Sequence, residues 1–159
     1  MIGWMEYLEL LGALVVAGVL GGVVGLEREI HRRWAGFRTH ILVSMGAALF
    51  VLAITALPNA TPADVSRVIQ GITTGLGFIG AGTILKLTDR LEVKGLTTAS
   101  TIWVAAALGV TAGLKLYPLA VTAAVLVLVV LTCCRWLEPD CKGMSDRSIP
   151  WSKAPPREP

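Results

Sequence analysis

The chain has 159 residues, 54% of them hydrophobic, and a mean hydropathy of +0.69. Charged residues make up 16%, against about 25% in an average soluble domain, which excludes a large soluble core under a hydrated surface. The net charge of +3 does not point to nucleic acid, because the basic residues sit at the ends of apolar runs and not together on one soluble face.

The first apolar run, Leu8 to Leu26, is too long for a signal-peptide core. It has no basic region before it and no clear small-residue cleavage site, so it is read as a retained span. Gly18/Gly22 and Gly21/Gly25 form two overlapping GxxxG pairs. Small residues four apart share a helix face and let backbones pack closely, although glycine is common in membrane helices for other reasons as well. A charged link from Glu27 to Arg38 follows, and its first half continues the helix, which places Glu27 and His31 on one face. A second span runs from Thr39 to Leu57, and Pro58–Pro62 sets a turn. Asp64 then stands where a carboxylate favours a helix N-terminus.

Residues 68–87, VIQGITTGLGFIGAGTILKL, predict a third span with five glycines: Gly71, Gly75, Gly77, Gly80 and Gly82. Each would weaken a soluble helix by roughly 1 kcal/mol relative to alanine. In lipid the backbone must bond to itself, and glycine admits a close neighbour. The stretch therefore reads as the central, most crowded helix, with a loosened helix lining a solute path as the alternative. Gly75 to Gly80 also spells GxGxxG. A dinucleotide site needs a strand before this motif, a helix after it and a later acidic residue, and the chain has no such βαβ rhythm.

A charged link, Thr88 to Gly95, leads to a fourth span from Leu96 to Leu114. Its opening hydroxyls, Thr97, Thr98, Ser100 and Thr101, suit capping or bonds back to helix carbonyls more than an anion site. A fifth span covers Leu119 to Cys134, and the proline-containing tail from Arg135 is expected to be mostly disordered. Cys133, Cys134 and Cys141 lack the paired spacing and nearby histidine of a zinc site and read as free thiols. Twelve of the 14 basic residues fall on one side of this alternation, opposite Arg67 and Lys115. The fold class is thus an all-α polytopic membrane bundle of five transmembrane helices, N-terminus outside and C-terminus cytosolic. Residues 1–134 form its membrane domain and 135–159 its polar tail.

No hydrolytic triad, P-loop, HExxH or pair of metal-binding histidines is present, so nothing points to an enzyme. No Asp or Glu lies at mid-membrane, where it would mark a functional site by default. No cofactor is implied. Hydroxyls and carbonyls around Ser44, Gln70, Thr73, Thr74 and Thr83 are compatible with passage of hydrated magnesium without specifying it. On the cytosolic side, Arg38 can pair with a carboxylate, Glu27 being the nearest in sequence; solvated interfacial charges are the plainer alternative.

Taken together, Gly25-Leu26-Glu27-Arg28-Glu29, Ala35-Gly36-Phe37-Arg38-Thr39-His40-Ile41-Leu42-Val43 and Gly46-Ala47-Ala48-Leu49-Phe50 resemble the first half of the MgtC/SapB family. Gln70, Gly75 to Gly82 and Val93-Lys94-Gly95-Leu96-Thr97-Thr98-Ala99-Ser100-Thr101-Ile102-Trp103 resemble its second half. The likeness covers about Leu8 to Leu131. It implies a bacterial inner-membrane protein of several helices, associated with magnesium homeostasis, growth at low magnesium and, in pathogens, survival inside host cells. Family members have been called magnesium transporters, and some act on other membrane proteins, including ATP synthase. Many carry a cytosolic ACT-like domain after the last helix; here a short tail takes its place, as in the SapB-type members. The resemblance marks Glu27, Arg28, Arg38, Thr39, His40, Asp64, Gln70, Gly75, Gly77, Gly80, Gly82, Lys94, Gly95, Thr97 and Thr98 as candidate functional residues. Gly18, Gly21, Gly22, Gly25 and Gly71 are candidates for helix packing. The partners implied are the lipid bilayer and another membrane protein or a second copy, with no nucleic acid.

Overall fold

The computed structural model describes residues 3–87 and 92–137. In order they form α1 (Trp4–Ile30), α2 (Phe37–Thr55), α3 (Pro62–Thr83), β1 (Leu85–Leu87), β2 (Glu92–Lys94), α4 (Leu96–Gly113) and α5 (Tyr117–Leu137). The chain divides into two compact units. The first, Met1–Leu128, holds α1 to α4, the hairpin and the first part of α5; the described part of the second, Val129–Pro159, is the last turns of α5. Among the described residues, the regular elements are helices apart from the small antiparallel hairpin. α1, α2 and α4 are each long and apolar enough to cross a membrane. The tail, including Cys141, and the tip of the link at 88–91 lie outside the described residues, as do the side chains of Lys94 and Cys134.

The helix ends follow from local chemistry. α1 closes with Arg33 N–H donating to Arg28 O at 3.0 Å and Arg32 N–H to Glu29 O at 2.9 Å. α4 closes the same way, with Leu116 to Thr111 at 3.0 Å and Lys115 to Ala112 at 2.9 Å. This is the 6→1 and 5→2 pattern that satisfies terminal carbonyls. It places Arg32 (φ 51°) and Lys115 (φ 60°) in the left-handed region. α3 begins with a capping box: Asp64 N–H donates to Thr61 Oγ1, Thr61 N–H donates to Asp64 Oδ2, and proline occupies the first turn. Gly95, at φ 98°, turns the chain from β2 into α4, and a Cβ there would collide with the Thr83 carbonyl.

The predicted third span is corrected at its end. The helix stops at Thr83, and Leu85–Leu87 pairs with Glu92–Lys94 in the register Leu85↔Lys94, Lys86↔Val93 and Leu87↔Glu92. Gly80 and Gly82 weaken the last turn, while Leu-Lys-Leu and Glu-Val-Lys alternate apolar and polar residues with the period of a strand.

The crowded centre of the first unit is α2. α1 and α4 both pack closely on it, whereas α3 lies mainly along α4. Gly21 and Gly25 of α1 meet α2 backbone: an added Cβ would stand 2.6 Å from His40 O and 2.9 Å from Phe37 Cα. A Cβ on Gly18 would stand 3.2 Å from the Met45 side chain, and one on Gly22 3.1 Å from Phe37 and 3.2 Å from Ile41. From the other side, Gly109 of α4 abuts the Ser44 carbonyl, and a Cβ on Gly113 would stand 3.0 Å from Ala48 O. Ser44 Oγ spans the first contact, donating to Ala17 O at 2.7 Å. Ala17, Ala48 and Ala112 fill the space between these three helices, and Ala47, Leu76, Ile102 and Ala106 fill that beside α3. The expectation that α3 is the most crowded helix therefore does not hold within one chain. Leu76 is its buried residue, and a Cβ on Gly71, Gly75, Gly77 or Gly82 would meet nothing within 4 Å.

Candidate functional site

Three helix ends converge where α1 finishes and α2 and α4 begin, and there the bundle buries polar groups. Arg28, in the last turn of α1, is 4% exposed, and His40, in the first turn of α2, is 0% exposed. Thr98, in the first turn of α4, is also buried and accepts a long hydrogen bond from Arg28 Nη2 at 3.4 Å. His40 Nδ1 lies 2.9 Å from Gly36 O. A carbonyl can only accept, so Nδ1 carries the proton and Nε2 is left as an acceptor. His40 Nε2, Arg28 Nε and Glu27 Oε2 are buried and have no hydrogen-bond partner among the described residues. Buried polar atoms are nearly always paired, so two acceptors and one donor without a partner among the described residues single out this cluster.

The link between α1 and α2 is tied to the cluster. Glu27 pairs with His31, whose Nδ1 lies 3.0 Å from Glu27 Oε1 and 2.7 Å from Glu27 O. Glu29 Oε2 accepts from Phe37 N–H at 2.8 Å, which caps α2 from across the link. Glu29 thus sits at the N-terminus of α2, where negative charge is favoured. Gly36 permits this closure: a Cβ there would stand 2.8 Å from the Glu29 carboxylate.

The structure brings Glu27, Arg28, His40 and Thr98 together. It does not pair Arg38 with Glu27; Arg38 is exposed, and Glu27 takes His31 instead. Arg28 is the buried arginine, because the last turn of α1 points it into the bundle while Arg38 lies on the outer side of α2. Thr97 is exposed and Thr39 half-buried. Ser100 and Thr101 bond back to Leu96 O and Thr98 O at 3.0 and 2.9 Å, as expected of hydroxyls in a helix. Asp64 stands at the opposite end of α3 from this cluster, in the capping box. Gln70 is exposed, with its carbonyl accepting from Thr73 and Thr74. A Cβ on Gly80 would stand 3.7 Å from Ala99 Cβ, while Gly75, Gly77 and Gly82 face open space. No group of three or more His, Cys, Asp or Glu that could hold a metal ion occurs among the described residues.

Gly109 and Gly113 are contacts that the sequence reading missed, although their spacing repeats the small-xxx-small signal of α1. Glu29 as the cap of α2 was also missed, since a cap from eight residues upstream has no local signature.

The MgtC family model matches residues 14–139. Relatives include the "Uncharacterized protein slr0014" of Synechocystis sp., 45% identical over 125 residues, and the "Putative magnesium transporter YhiD" of Escherichia coli strain K12, 38% identical over 130 residues. The protein named MgtC in Salmonella typhimurium is 38% identical over 115 residues. The matches cover 79%, 77% and 72% of this chain but 52%, 59% and 48% of those proteins. No solved structure matches significantly. Three membrane-length apolar helices, the match across residues 14–139 and these relatives establish that the chain is a membrane protein and belongs to the MgtC family.

Proposed function

We propose that this protein is a non-catalytic, multi-pass component of the bacterial inner membrane. It serves magnesium homeostasis and growth at low magnesium by binding another membrane protein or a second copy of itself. The observation that supports this reading is the outward face of α3. Gln70, Gly71, Thr74, Gly75, Gly77 and Phe78 are all exposed, Phe78 by 84%. A helix face of glycines, hydroxyls and one amide gains little against lipid. Against another helix it allows close backbone approach and interhelical hydrogen bonds. The link to magnesium rests on the family and on the name of the Escherichia coli relative. In this reading residues 1–134 span the membrane five times, with the N-terminus outside, and 135–159 form a cytosolic tail.

A second reading, a transporter or channel for a divalent cation, is favoured by that relative's name. One experiment separates the two. The parent and Gly75→Leu are reconstituted in liposomes for magnesium flux, and both are expressed in cells limited for magnesium. A binding protein gives no flux from either form, and Gly75→Leu inserts normally but fails to support growth. Saturable, cation-selective flux from the parent would overturn the first reading and establish the second.

A further inference from the structure

A second surface feature lies away from α3. The outer side of the α1–α2 contact forms a groove of about 450 Å³, lined by hydrocarbon and one thioether. Its walls on α1 are Val15, Val19 and Val23, exposed by 42–57%. Its floor exists because Gly18 and Gly22 let Met45, Ile41 and Phe37 lie down on α1. The groove runs towards the end of the bundle where α1 gives way to the link, and there the chemistry changes. Arg38 stands three and seven residues before Ile41 and Met45, on the same face of α2 as these two groove residues. Arg32, Arg33 and Arg38 are exposed, and none pairs with a carboxylate among the described residues. The carboxylates of the same link face other groups: Glu29 caps Phe37 N–H and Glu27 Oε1 holds His31. Trp34, 71% exposed, marks this end as one suited to the membrane–water boundary.

We propose that this groove is a binding site for one anionic phospholipid. An acyl chain lies along the floor made by Gly18 and Gly22, and the phosphate is held at the groove's end by Arg38 with the arginines of the link. The apolar lining excludes a polar ligand, and the slot meets lipid wherever α1 and α2 cross the bilayer. A second copy in the same membrane orientation would bring Arg32, Arg33 and Arg38 against their own equivalents, a like-charge contact that disfavours it. An anionic headgroup has the complementary sign, and each arginine near a membrane surface strengthens its attraction by roughly fivefold in affinity.

The full chain, purified in detergent, is offered phosphatidylglycerol or phosphatidylcholine with identical acyl chains. Lipid retained per chain is counted by native mass spectrometry, and melting is followed in parallel. The parent should retain one phosphatidylglycerol, with a higher melting temperature, and hold phosphatidylcholine weakly. Arg38→Gln should cut the preference about fivefold without altering melting in lipid-free detergent. Val19→Trp, which fills the groove from an exposed wall, should lose retention of both lipids. Val15→Trp serves the same purpose if that variant does not accumulate. Equal retention of the two lipids by the parent overturns the proposal. So does a preference that survives Arg38→Gln together with either groove-filling variant, because binding is then only the general shell of surrounding lipid.

Discussion

Two arginines ten residues apart have opposite fates, and the difference is set by which helix face each occupies. Arg28 is buried among Glu27, His40 and Thr98, so Arg28→Ala removes a large buried side chain and its hydrogen bond to Thr98. The cost expected is about 2–5 kcal/mol, measured as thermal or denaturant stability in detergent. Arg38→Ala, at an exposed position, should stay within about 0.5 kcal/mol of the parent in the same measurement. Equal losses from the two would mean that Arg38 is structural after all. The glycines divide in the same way. Gly109→Ala drives a methyl into the Ser44 carbonyl and should cost about 1–3 kcal/mol. Gly75→Ala meets open space within the chain and should not lower the melting temperature of the monomer, although it alters the surface offered to a partner.

At the scale of elements, α3 buries only Leu76, so its own capping carries more of its stability. The Thr61 hydroxyl and backbone N–H hold the Asp64 carboxyl below its ordinary value. A carboxylate whose folded-state value is depressed stabilises the fold above its unfolded value, and that stabilisation is lost as pH falls through the folded one. The parent should therefore lose part of its stability on acidification that Asp64→Asn has already lost at neutral pH. Melting curves from neutral to acid pH test this: the gap between parent and variant should close as pH falls, and a constant gap would show that Asp64 acts only through its shape. At the same end of the bundle, Glu9 lies 2.6 Å from Lys115 and raises the lysine above its ordinary value. This exposed pair ties the start of α1 to the α4–α5 turn and should be sensitive to salt.

For the whole molecule the testable statement is the topology. With the three native cysteines replaced by serine, Ala60→Cys in the turn before α3 should react with an impermeant thiol reagent from outside. Trp34→Cys, in the link that carries the arginines, should react only from the cytosolic side. Labelling of both from one side would contradict an α2 that crosses the bilayer, and with it the five-span arrangement.

Helix number and approximate position followed from the sequence alone, because apolar runs broken by prolines and charged links leave few other solutions. The Glu27–His31 pairing, the Asp64 cap and the close packing of Gly18, Gly21, Gly22 and Gly25 were legible too. Each depends on residues three or four apart on a single helix, and that spacing is visible in one dimension. What only the tertiary structure decided is which helix stands in the middle. Five glycines made α3 look central, yet a glycine permits a neighbour without supplying one. The neighbours went instead to α2, between Gly21 and Gly25 on one side and Gly109 and Gly113 on the other. The choice of Arg28 over Arg38 as the buried cation belongs to the same class. It depends on the rotation of α1 against α2 and α4, and that rotation is fixed by side chains 70 residues apart, such as Arg28 and Thr98, which no local periodicity connects.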